Sequence, residues 1–400
     1  MNIIDIRNYL TRRKVTILEV STDMVVFTEI RKEDGRYFFF LIEYDLETKV
    51  ERTLINYSVE DAKYPPRCRL FGRTVLIVFE NGRDEFWVYK VDKRTGEEFY
   101  SGQMNCVGDF HDSYLLDEDH ILIYTTANPE TAHLFSAYTG ATGSRKLVHL
   151  YNLETGVRNL VKNDVLCRSA SRNLHTYHHS GSDHLLIHDI RCTDEAKEEA
   201  FKKSEQQWHS VENVQDNIWI IPYIALCSAV EGGEMEYPLQ LVASAGIDGW
   251  ARFIGMDSTS IYYRCKEFKT GAETLFSYDK LGFDKKVLKQ IDLGDEPETV
   301  RYVYDPKTAK GYKIDDDEYS FTIEGVLKSK LKSAKVQKKL GEYYGCIDDR
   351  FVVCAFGLGD GDGDQYEHEY MYTSLFDVRT DYSECVQGNC TIFDSNLILY

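Results

Sequence analysis

The residues whose types and spacing could do chemistry are found first in a glycine-rich segment near residue 360. Aspartates alternate there with glycines at three positions, Asp360, Asp362 and Asp364. Carboxylates at positions one, three and five of such a loop can surround one calcium ion at about 2.3–2.6 Å. An EF-hand would have a bidentate glutamate at position twelve, but Met371 stands there, so Glu367 or Glu369 would have to replace it. The segment predicts either a calcium site formed by these aspartates and Glu367 or a solvated loop between strands.

A second group of candidate residues is a histidine-rich segment. Five of the 11 histidines lie between residues 175 and 188. On a strand, residues four apart face the same side, so His184 and His188 are expected to share a face. Together with His179 they are candidate ligand-binding residues, since imidazole can bind a transition metal or transfer a proton. The sequence fixes no carboxylate partner for them, so the alternative is that these imidazoles are structural or solvated.

Motifs of several common enzyme classes are absent. The ten cysteines contain no Cys-x-x-Cys pair, so neither a zinc ribbon nor a thioredoxin-like site is predicted. The sequence has no Gly-x-Ser-x-Gly elbow and no His-Glu-x-x-His motif. Ser329-Lys-Leu-Lys332 matches Ser-x-x-Lys, but a lysine-rich run produces such a match by chance. No catalytic residue is therefore predicted.

The elements that must position these residues are β-hairpins built on a recurring turn. Tyr37–Ile42 is aromatic or aliphatic throughout, which predicts a strand buried on both faces. Asp45 begins a turn in the phrase Tyr44-Asp-Leu-Glu-Thr-Lys49, since its side chain can accept hydrogen bonds from the backbone ahead. Related phrases recur at 89–96, 151–156, 278–282, 304–308 and 376–380. Because a second apolar strand precedes most copies, the unit has four strands in about 45 residues, which is the period of a propeller blade.

On these hairpins the chain resembles the β-propeller superfamily, and the Tyr-Asp-Leu-x-Thr phrase is similar to blades of TolB-like and quinoprotein-like propellers. The Trp-Asp mark of WD40 blades and the double glycine of kelch blades are absent. The resemblance implies a fold and no activity. We expect an all-β propeller of seven blades, with six as the alternative, forming a single domain over residues 1–400. Short apolar strands at both ends of the chain would close the ring.

Two helical insertions are expected in this propeller. Residues 193–208 have a threonine as N-cap, acidic residues in the first turn and lysines later, which matches the helix dipole. Residues 322–341 carry an apolar stripe and six lysines. Each helix either lies on the propeller or binds a partner. Between them, residues 218–226 are expected to be a strand.

The composition limits the partners and the compartment. A formal charge of −19 disfavours nonspecific nucleic-acid binding, which needs clustered lysine and arginine, and also disfavours anionic membrane surfaces. The first residues do not have the pattern of a signal peptide, and no apolar stretch approaches the length of a membrane span. We therefore expect a cytoplasmic protein with reduced thiols.

The expected function is a cytoplasmic binding scaffold that mediates interaction with a protein partner or a small ligand. Loops on a rigid ring commonly carry recognition, and no catalytic motif is present. The alternative is a propeller hydrolase or lyase that uses a divalent metal over the central channel. A third interpretation is a sugar- or peptide-binding sensor that uses its tyrosines and tryptophans for stacking. No cofactor is predicted, apart from calcium in the segment near residue 360.

Overall fold

The computed structural model is described for most, but not all, of the chain. The described residues are 2–7, 15–59, 66–135, 146–169, 174–179, 182–192, 214–245, 249–256, 260–267, 270, 272–280, 284–291, 300–305, 310–315, 320–323, 326–329, 342–347, 351–358, 370–377, 382–393 and 396–400. Among them, no helix is both long and apolar enough to span a bilayer.

The first half of the chain forms three separate sheets of four strands. The first sheet contains β2 (Thr16–Val20), β3 (Met24–Glu33), β4 (Arg36–Asp45) and β5 (Glu51–Val59). The second contains β6 (Arg67–Phe71), β7 (Thr74–Glu80), β8 (Glu85–Asp92) and β9 (Glu98–Asn105). The third contains β10 (Asp109–Leu115), β11 (His120–Thr126), β12 (Lys146–Asn152) and β13 (Val157–Leu160), and the short helix Asp164–Arg168 follows it.

An eight-stranded sheet comes next along the chain. Its strands are β14 (Leu174–His179), β15 (Ser182–Cys192), β16 (Val214–Pro222), β17 (Gln240–Ser244), β18 (Gly249–Met256), β19 (Ser260–Glu267), β20 (Glu273–Asp279) and β21 (Lys285–Ile291). The helix Tyr223–Glu231 lies between β16 and β17.

Two further sheets of four strands and one of three complete the topology. The four-stranded sheets contain β22 (Val300–Asp305), β23 (Lys310–Asp315), β24 (Ser320–Ile323) and β25 (Val326–Ser329), then β26 (Glu342–Ile347), β27 (Phe351–Leu358), β28 (Tyr370–Asp377) and β29 (Tyr382–Gln387). The last sheet contains β30 (Cys390–Phe393), β31 (Asn396–Leu399) and β1 (Asn2–Asp5).

Each four-stranded sheet is an antiparallel meander whose strands are hydrogen-bonded in sequence order. Residues of the inner strands are buried in runs, as in Thr74–Glu80, whereas the last strand, Glu98–Asn105, alternates between exposed and half-buried residues. This difference is the expected one between a central strand and an edge strand. Successive meanders of this kind are propeller blades, and the chain has the β-propeller fold.

The preference for seven blades is wrong, because two of the expected blades form one sheet. In the described residues, six sheets have four or more strands, which is the six-bladed alternative. A single parallel pair, Gln215↔Gly249, joins β16 to β18. A Cβ on Gly249 would lie 2.6 Å from the Lys266 carbonyl oxygen and 2.7 Å from that of Ala245. The absence of a side chain at Gly249 therefore allows these two backbone oxygens to approach closely.

The strands from the two ends of the chain lie side by side. β1 pairs with β31 in parallel, from Asn2↔Asn396 to Asp5↔Leu399. β31 in turn pairs with β30 in antiparallel orientation. The pairing brings both termini into one sheet, and the closure of a ring by that sheet stays a prediction.

Two of the expected local structures are corrected by tertiary pairing. Part of the helix expected over residues 322–341 is instead the hairpin of β24 and β25, which pairs from Ile323↔Val326 outward and completes a sheet. Sheet pairing outweighs the helical spacing of the apolar residues there. The strand expected over residues 218–226 ends at Pro222, which has no N–H group for a ladder and precedes a helix. Residues 193–208, the other expected helix, lie outside the described residues.

The chain divides into two compact units. The first contains Met1–Val75, Val91–Phe99 and Glu296–Tyr400, and the second contains Leu76–Lys90 and Tyr100–Asp295. The core of the first unit includes the fully buried Val25, Phe27 and Ile42, together with Ile398. The prediction of one domain over residues 1–400 is not tested by this division and stays a prediction.

The core of the second unit places the two helices against strands. A cluster of buried side chains joins Leu122 and Leu150 of the third blade to Leu185 of β15. The helix Tyr223–Glu231 contributes Leu226, Ala229 and Val230 to the same cluster. These three residues are three and one apart, so one face of the helix is buried and the opposite face is open to solvent.

Candidate functional site

The predicted calcium ligands are not among the described residues. Asp360, Asp362, Asp364 and Glu367 lie within residues 359–369, which the structure does not describe. His179 is the last residue of β14 and pairs with Ser182, but its side chain is also outside the description. The calcium site and the role of His179 therefore stay predictions.

His184 and His188 lie four residues apart on β15, but they have different partners. The ring of His184 stacks on Tyr177 with 5.2 Å between the ring centroids, and its Nδ1 lies 3.3 Å from the Ser182 carbonyl oxygen. His188 Nε2 lies 3.4 Å from a carboxylate oxygen of Asp216. Within the described part of the chain, no group of three metal-ligating side chains converges. The ligand-binding role of both histidines stays a prediction.

A different histidine, His120, occupies a more organised position at the turn between β10 and β11. Asp117 Oδ1 accepts hydrogen bonds from the backbone N–H groups of Asp119 and His120, each at 2.7 Å, and so closes this turn. Both carboxylate oxygens of Asp117 also lie 3.1 Å from His120 Nδ1. The turn that starts β11 therefore holds a carboxylate against one nitrogen of the imidazole.

The second nitrogen of this imidazole meets Asn152, which starts the turn after β12. Asn152 Oδ1 accepts the Thr155 N–H at 3.0 Å, and this bond orients the amide so that its Nδ2 lies 3.0 Å from His120 Nε2. An amide Nδ2 only donates, so Nε2 accepts and the ring proton sits on Nδ1. The backbone joins the two turns as well, because the Leu153 N–H donates to the Asp119 carbonyl oxygen at 2.7 Å.

Tyr223, the first residue of the helix Tyr223–Glu231, packs against this pair. Its ring meets that of His120 edge to face, with 5.8 Å between the centroids. Burial raises the pKa of Tyr223, and the neighbouring Asp117 and Cys227 add to this rise. The contact attaches the start of the helix to the two turns of the third blade.

The charges around His120 and its burial shift the pKa of His120 in opposite directions. Its hydrogen bond with Asp117 raises the pKa of His120 above the ordinary value, burial acts in the opposite direction, and the charges of Asp117, Asp119 and Glu231 add to the rise. Burial also opposes ionisation of Asp117, but its hydrogen bonds, led by that from His120, hold its pKa below the ordinary value. The hydrogen bond with Asp117 and the neighbouring carboxylates thus favour the charged imidazole, and burial favours the neutral one.

The groups beside His120 are poor nucleophiles. Burial raises the pKa of Cys227 to about 11, and Tyr223 ionises at higher pH still. A thiol with such a pKa has almost no thiolate near neutral pH. The arrangement is suited to orienting an imidazole and anchoring a helix, and less suited to covalent catalysis.

Sequence reasoning missed this site, although a signal for it exists. Asn152 is separated from His120 by 32 residues, and Tyr223 is a further 71 residues away. The signal lies in the recurring turn phrase, where the five other copies have aspartate at the position of Asn152. Those aspartates are Asp45, Asp92, Asp279, Asp305 and Asp377.

The helix that Tyr223 begins, and the residues that follow it, carry exposed apolar and acidic side chains. Ile224 is 72% exposed and Met235 is 61% exposed. Glu231 ends the helix, Glu234 and Glu236 flank Met235 in the chain, and all three glutamates are exposed. Ile224 and Glu231 are seven residues apart and so lie on one face of the helix. We call these five residues the acidic–apolar patch.

The comparisons with known proteins extend to the fold only. No family model and no curated protein matches the sequence. An oligogalacturonate lyase in complex with manganese is 12% identical, with a TM-score of 0.43, and the alignment covers 83% of this chain and 82% of that chain. The β-propeller domain of the Trilobed protease from Pyrococcus furiosus is 11% identical, with a TM-score of 0.40, and the alignment covers 96% and 97% of the two chains.

A prolyl endopeptidase is also similar, at 12% identity and a TM-score of 0.47. The alignment covers 94% of this chain and 50% of that chain, so this chain spans about half the length of the endopeptidase. At such identities and TM-scores, none of these proteins carries an argument about activity.

Proposed function

We propose that this protein is a cytoplasmic, non-catalytic binding scaffold whose acidic–apolar patch binds a basic segment of a partner protein. The observation that carries the proposal is the patch itself, in which exposed Met235 stands between Glu234 and Glu236 in the chain and exposed Ile224 shares a helix face with Glu231. Single exposed apolar residues are common on protein surfaces, but apolar anchors beside charges of one sign have the chemistry of an interface.

The chemistry of the patch selects the partner. Covering the Ile224 and Met235 side chains would contribute about 1.5–3 kcal/mol each if both became fully buried. Glu231, Glu234 and Glu236 favour lysine or arginine on the segment that covers them. The formal charge of −19 would also accelerate the approach of a cationic partner.

The rigid attachment of the helix supports the same proposal. One face of the helix is packed into the core of the second unit through Leu226, Ala229 and Val230. Tyr223 attaches its start to His120. The part of the patch on this helix, Ile224 and Glu231, therefore needs little ordering when a partner binds, so less of the binding free energy is lost.

The test measures the affinity of the amidated octapeptide Lys-Leu-Lys-Leu-Lys-Leu-Lys-Leu by fluorescence anisotropy in ~0.15 M salt, where long-range attraction is largely screened. The double variant Ile224→Ser, Met235→Ser keeps the charge and is expected to bind about tenfold more weakly. The matched control is Val50→Ser, Phe99→Ser, since these residues are 60% and 57% exposed outside the patch. An equal effect of both variants would refute the proposal.

A second pair of variants tests the charges. Glu231→Gln, Glu234→Gln, Glu236→Gln removes three carboxylates from the patch. The control Glu33→Gln, Asp34→Asn, Glu47→Gln removes the same number from exposed positions elsewhere. We expect the first variant alone to lose affinity by about fivefold or more, which corresponds to ~1 kcal/mol or more.

The finer predictions from the sequence complete the proposal. We propose that the terminal sheet closes the propeller, and deletion of residues 391–400 is then expected to unfold the protein. The alternative function is a hydrolase or lyase that uses a divalent metal over the central channel. A separate proposal is the calcium site of Asp360, Asp362, Asp364 and Glu367. Elemental analysis decides it: stoichiometric calcium in the purified protein that is lost in Asp362→Asn would support a metal site, and a metal-free protein would refute it.

A further inference from the structure

We propose that proton uptake by His120 weakens the binding of a basic partner segment at the acidic–apolar patch. The inference rests on the proposed function and adds its regulation. It starts from the contact between His120 and Asn152. Residue 152 is asparagine where the other copies of the turn phrase have aspartate.

The contact with Asn152 suits only the neutral imidazole. In that form Nδ1–H donates to Asp117 and Nε2 accepts from Asn152 Nδ2. Protonation adds a hydrogen at Nε2, so that two donors face each other across 3.0 Å and the contact is lost. The Asn152 side-chain amide cannot flip freely to turn its oxygen toward Nε2, because its Oδ1 already accepts a hydrogen bond from the Thr155 N–H.

An aspartate at position 152 would have the opposite effect. It could accept the Thr155 N–H and also accept a hydrogen bond from a protonated Nε2. His120 would then lie between two carboxylates and stay charged across the neutral range. The asparagine therefore leaves His120 able to gain and lose a proton, whereas the aspartate of the other copies would keep the imidazole charged.

The charged groups around His120 come from three elements. The β10–β11 turn contributes Asp117, exposed Glu118 and Asp119, and Asp119 is already paired with Lys90. The turn after β12 contributes the uncharged Asn152. The helix contributes Tyr223 and Cys227, which are both uncharged near neutral pH, and Glu231. The field at His120 is thus negative, and one of its sources, Glu231, belongs to the patch.

This shared carboxylate couples the two events. A lysine or arginine that pairs with Glu231 removes part of the field that stabilises the imidazolium, so binding lowers the pKa of His120. By linkage, protonation of His120 must weaken binding of the same cation by the same factor. His120 also contacts Tyr223, the neighbour of Ile224, so the lost Asn152 contact alters the anchored end of the helix.

The direction of the pH dependence of binding follows from the pKa of His120. The hydrogen bond with Asp117 raises this pKa above the ordinary value of about 6.5. Affinity is therefore expected to be full at pH ~8.5 and to fall as the pH drops through the neutral range. By linkage, the loss of affinity at pH ~5.5 equals the factor by which the bound peptide weakens proton binding by His120, and we expect it to be about fivefold. Lysine side chains of the peptide keep their charge throughout this range.

The experiment measures binding of the same lysine–leucine octapeptide at pH 8.5 and pH 5.5, together with the His120 ring signals in an NMR titration. We expect about fivefold weaker binding at the lower pH, and a His120 pKa that falls when the peptide is added. His120→Gln is expected to remove the pH dependence. The matched control, His133→Gln, changes an exposed histidine and is expected to keep it.

Asn152→Asp supplies a test that does not depend on the peptide. We expect it to raise the pKa of His120 by one unit or more, and an unchanged pKa would refute the proposed role of the asparagine. Equal binding by the wild-type protein at both pH values would refute the inference alone. An absence of patch-dependent binding at both pH values would refute the proposed function, and the regulation with it.

Discussion

The recurring turn offers a sharp prediction, because three blades form it with the same hydrogen bond but in different surroundings. The fifth residue of the turn donates its N–H to the carbonyl oxygen of the first, at 3.0 Å for Lys49, 2.8 Å for Gly96 and 2.9 Å for Gly156. All three residues have positive φ, at 60°, 72° and 68°. Left-handed backbone of this kind favours glycine, yet the first blade has lysine there.

Alanine substitution separates backbone strain from steric contact. Gly156→Ala places its Cβ in open space, since no atom lies within 4 Å of that position. The left-handed conformation costs a side chain about 1–2 kcal/mol, and the lower entropy of the unfolded chain offsets about 0.4–1 kcal/mol of this. We expect Gly156→Ala to lower the free energy of unfolding by about 1 kcal/mol. Gly156→Lys, which copies Lys49, is expected to behave similarly.

Gly96→Ala has the same free-energy cost in backbone conformation, and its Cβ also makes a steric clash. Its Cβ would lie 2.5 Å from the Leu54 carbonyl oxygen and 3.2 Å from the Leu54 carbonyl carbon. Because both atoms belong to backbone, a shift of the chain is required, and overpacking of this kind costs about 1–3 kcal/mol. We therefore expect Gly96→Ala to be less stable than Gly156→Ala by about 1–3 kcal/mol.

The assay is urea denaturation followed by tryptophan fluorescence, with all variants compared under identical conditions. The decisive quantity is the difference between Gly96→Ala and Gly156→Ala. If the two free energies of unfolding agree within ~0.5 kcal/mol, the contact with Leu54 does not restrict this turn and the reasoning is refuted. A large loss in Gly156→Lys would refute the equivalence of the three turns.

Three other predictions concern buried or capping residues. Asn163 caps the helix Asp164–Arg168 by accepting the N–H groups of Val165 and Leu166, so Asn163→Ala should lower the free energy of unfolding by about 1 kcal/mol in the same urea assay. Burial lowers the pKa of His149 to about 4, so His149 stays neutral in the folded protein while the unfolded chain takes up a proton below pH ~6.5. Stability is therefore expected to fall by up to about 3 kcal/mol as the pH drops from ~6.5 to ~4, and a His149 NMR signal that titrates near pH 6.5 would contradict this. Burial raises the pKa of Cys167 to about 12, so this thiol should react with iodoacetamide at neutral pH only on unfolding, and rapid labelling of the native protein would refute its burial.

The turn phrase shows what sequence reasoning does well. The prediction that Asp45 begins a turn is confirmed, because its Oδ1 accepts the N–H groups of Glu47 and Thr48. The same geometry recurs at Asp92 with Arg94 and Thr95. Such a turn depends on residues that are close in sequence, so the pattern of residue types is enough to predict it.

The errors came where distant residues compete for the same segment. The apolar stripe over residues 322–341 suits a helix, but β24 and β25 gain more by completing a sheet with β23. The number of blades depended on one residue pair, Gln215↔Gly249, which no local sequence pattern indicates. The corrected features are therefore those whose free energy lies in contacts between remote segments.

The sequence by itself determined the all-β class, the meander of hairpins and the position of the recurring turns, because these follow from strand periodicity and from side chains that bond to their own backbone. Only the tertiary structure decided which polar residues meet. Asp117, His120, Asn152 and Tyr223 become neighbours because two turns of one blade lie at the same end of a sheet and a helix from the next sheet packs against them. Hydrogen bonds and charges act over a few ångströms of space, whatever the distance along the chain.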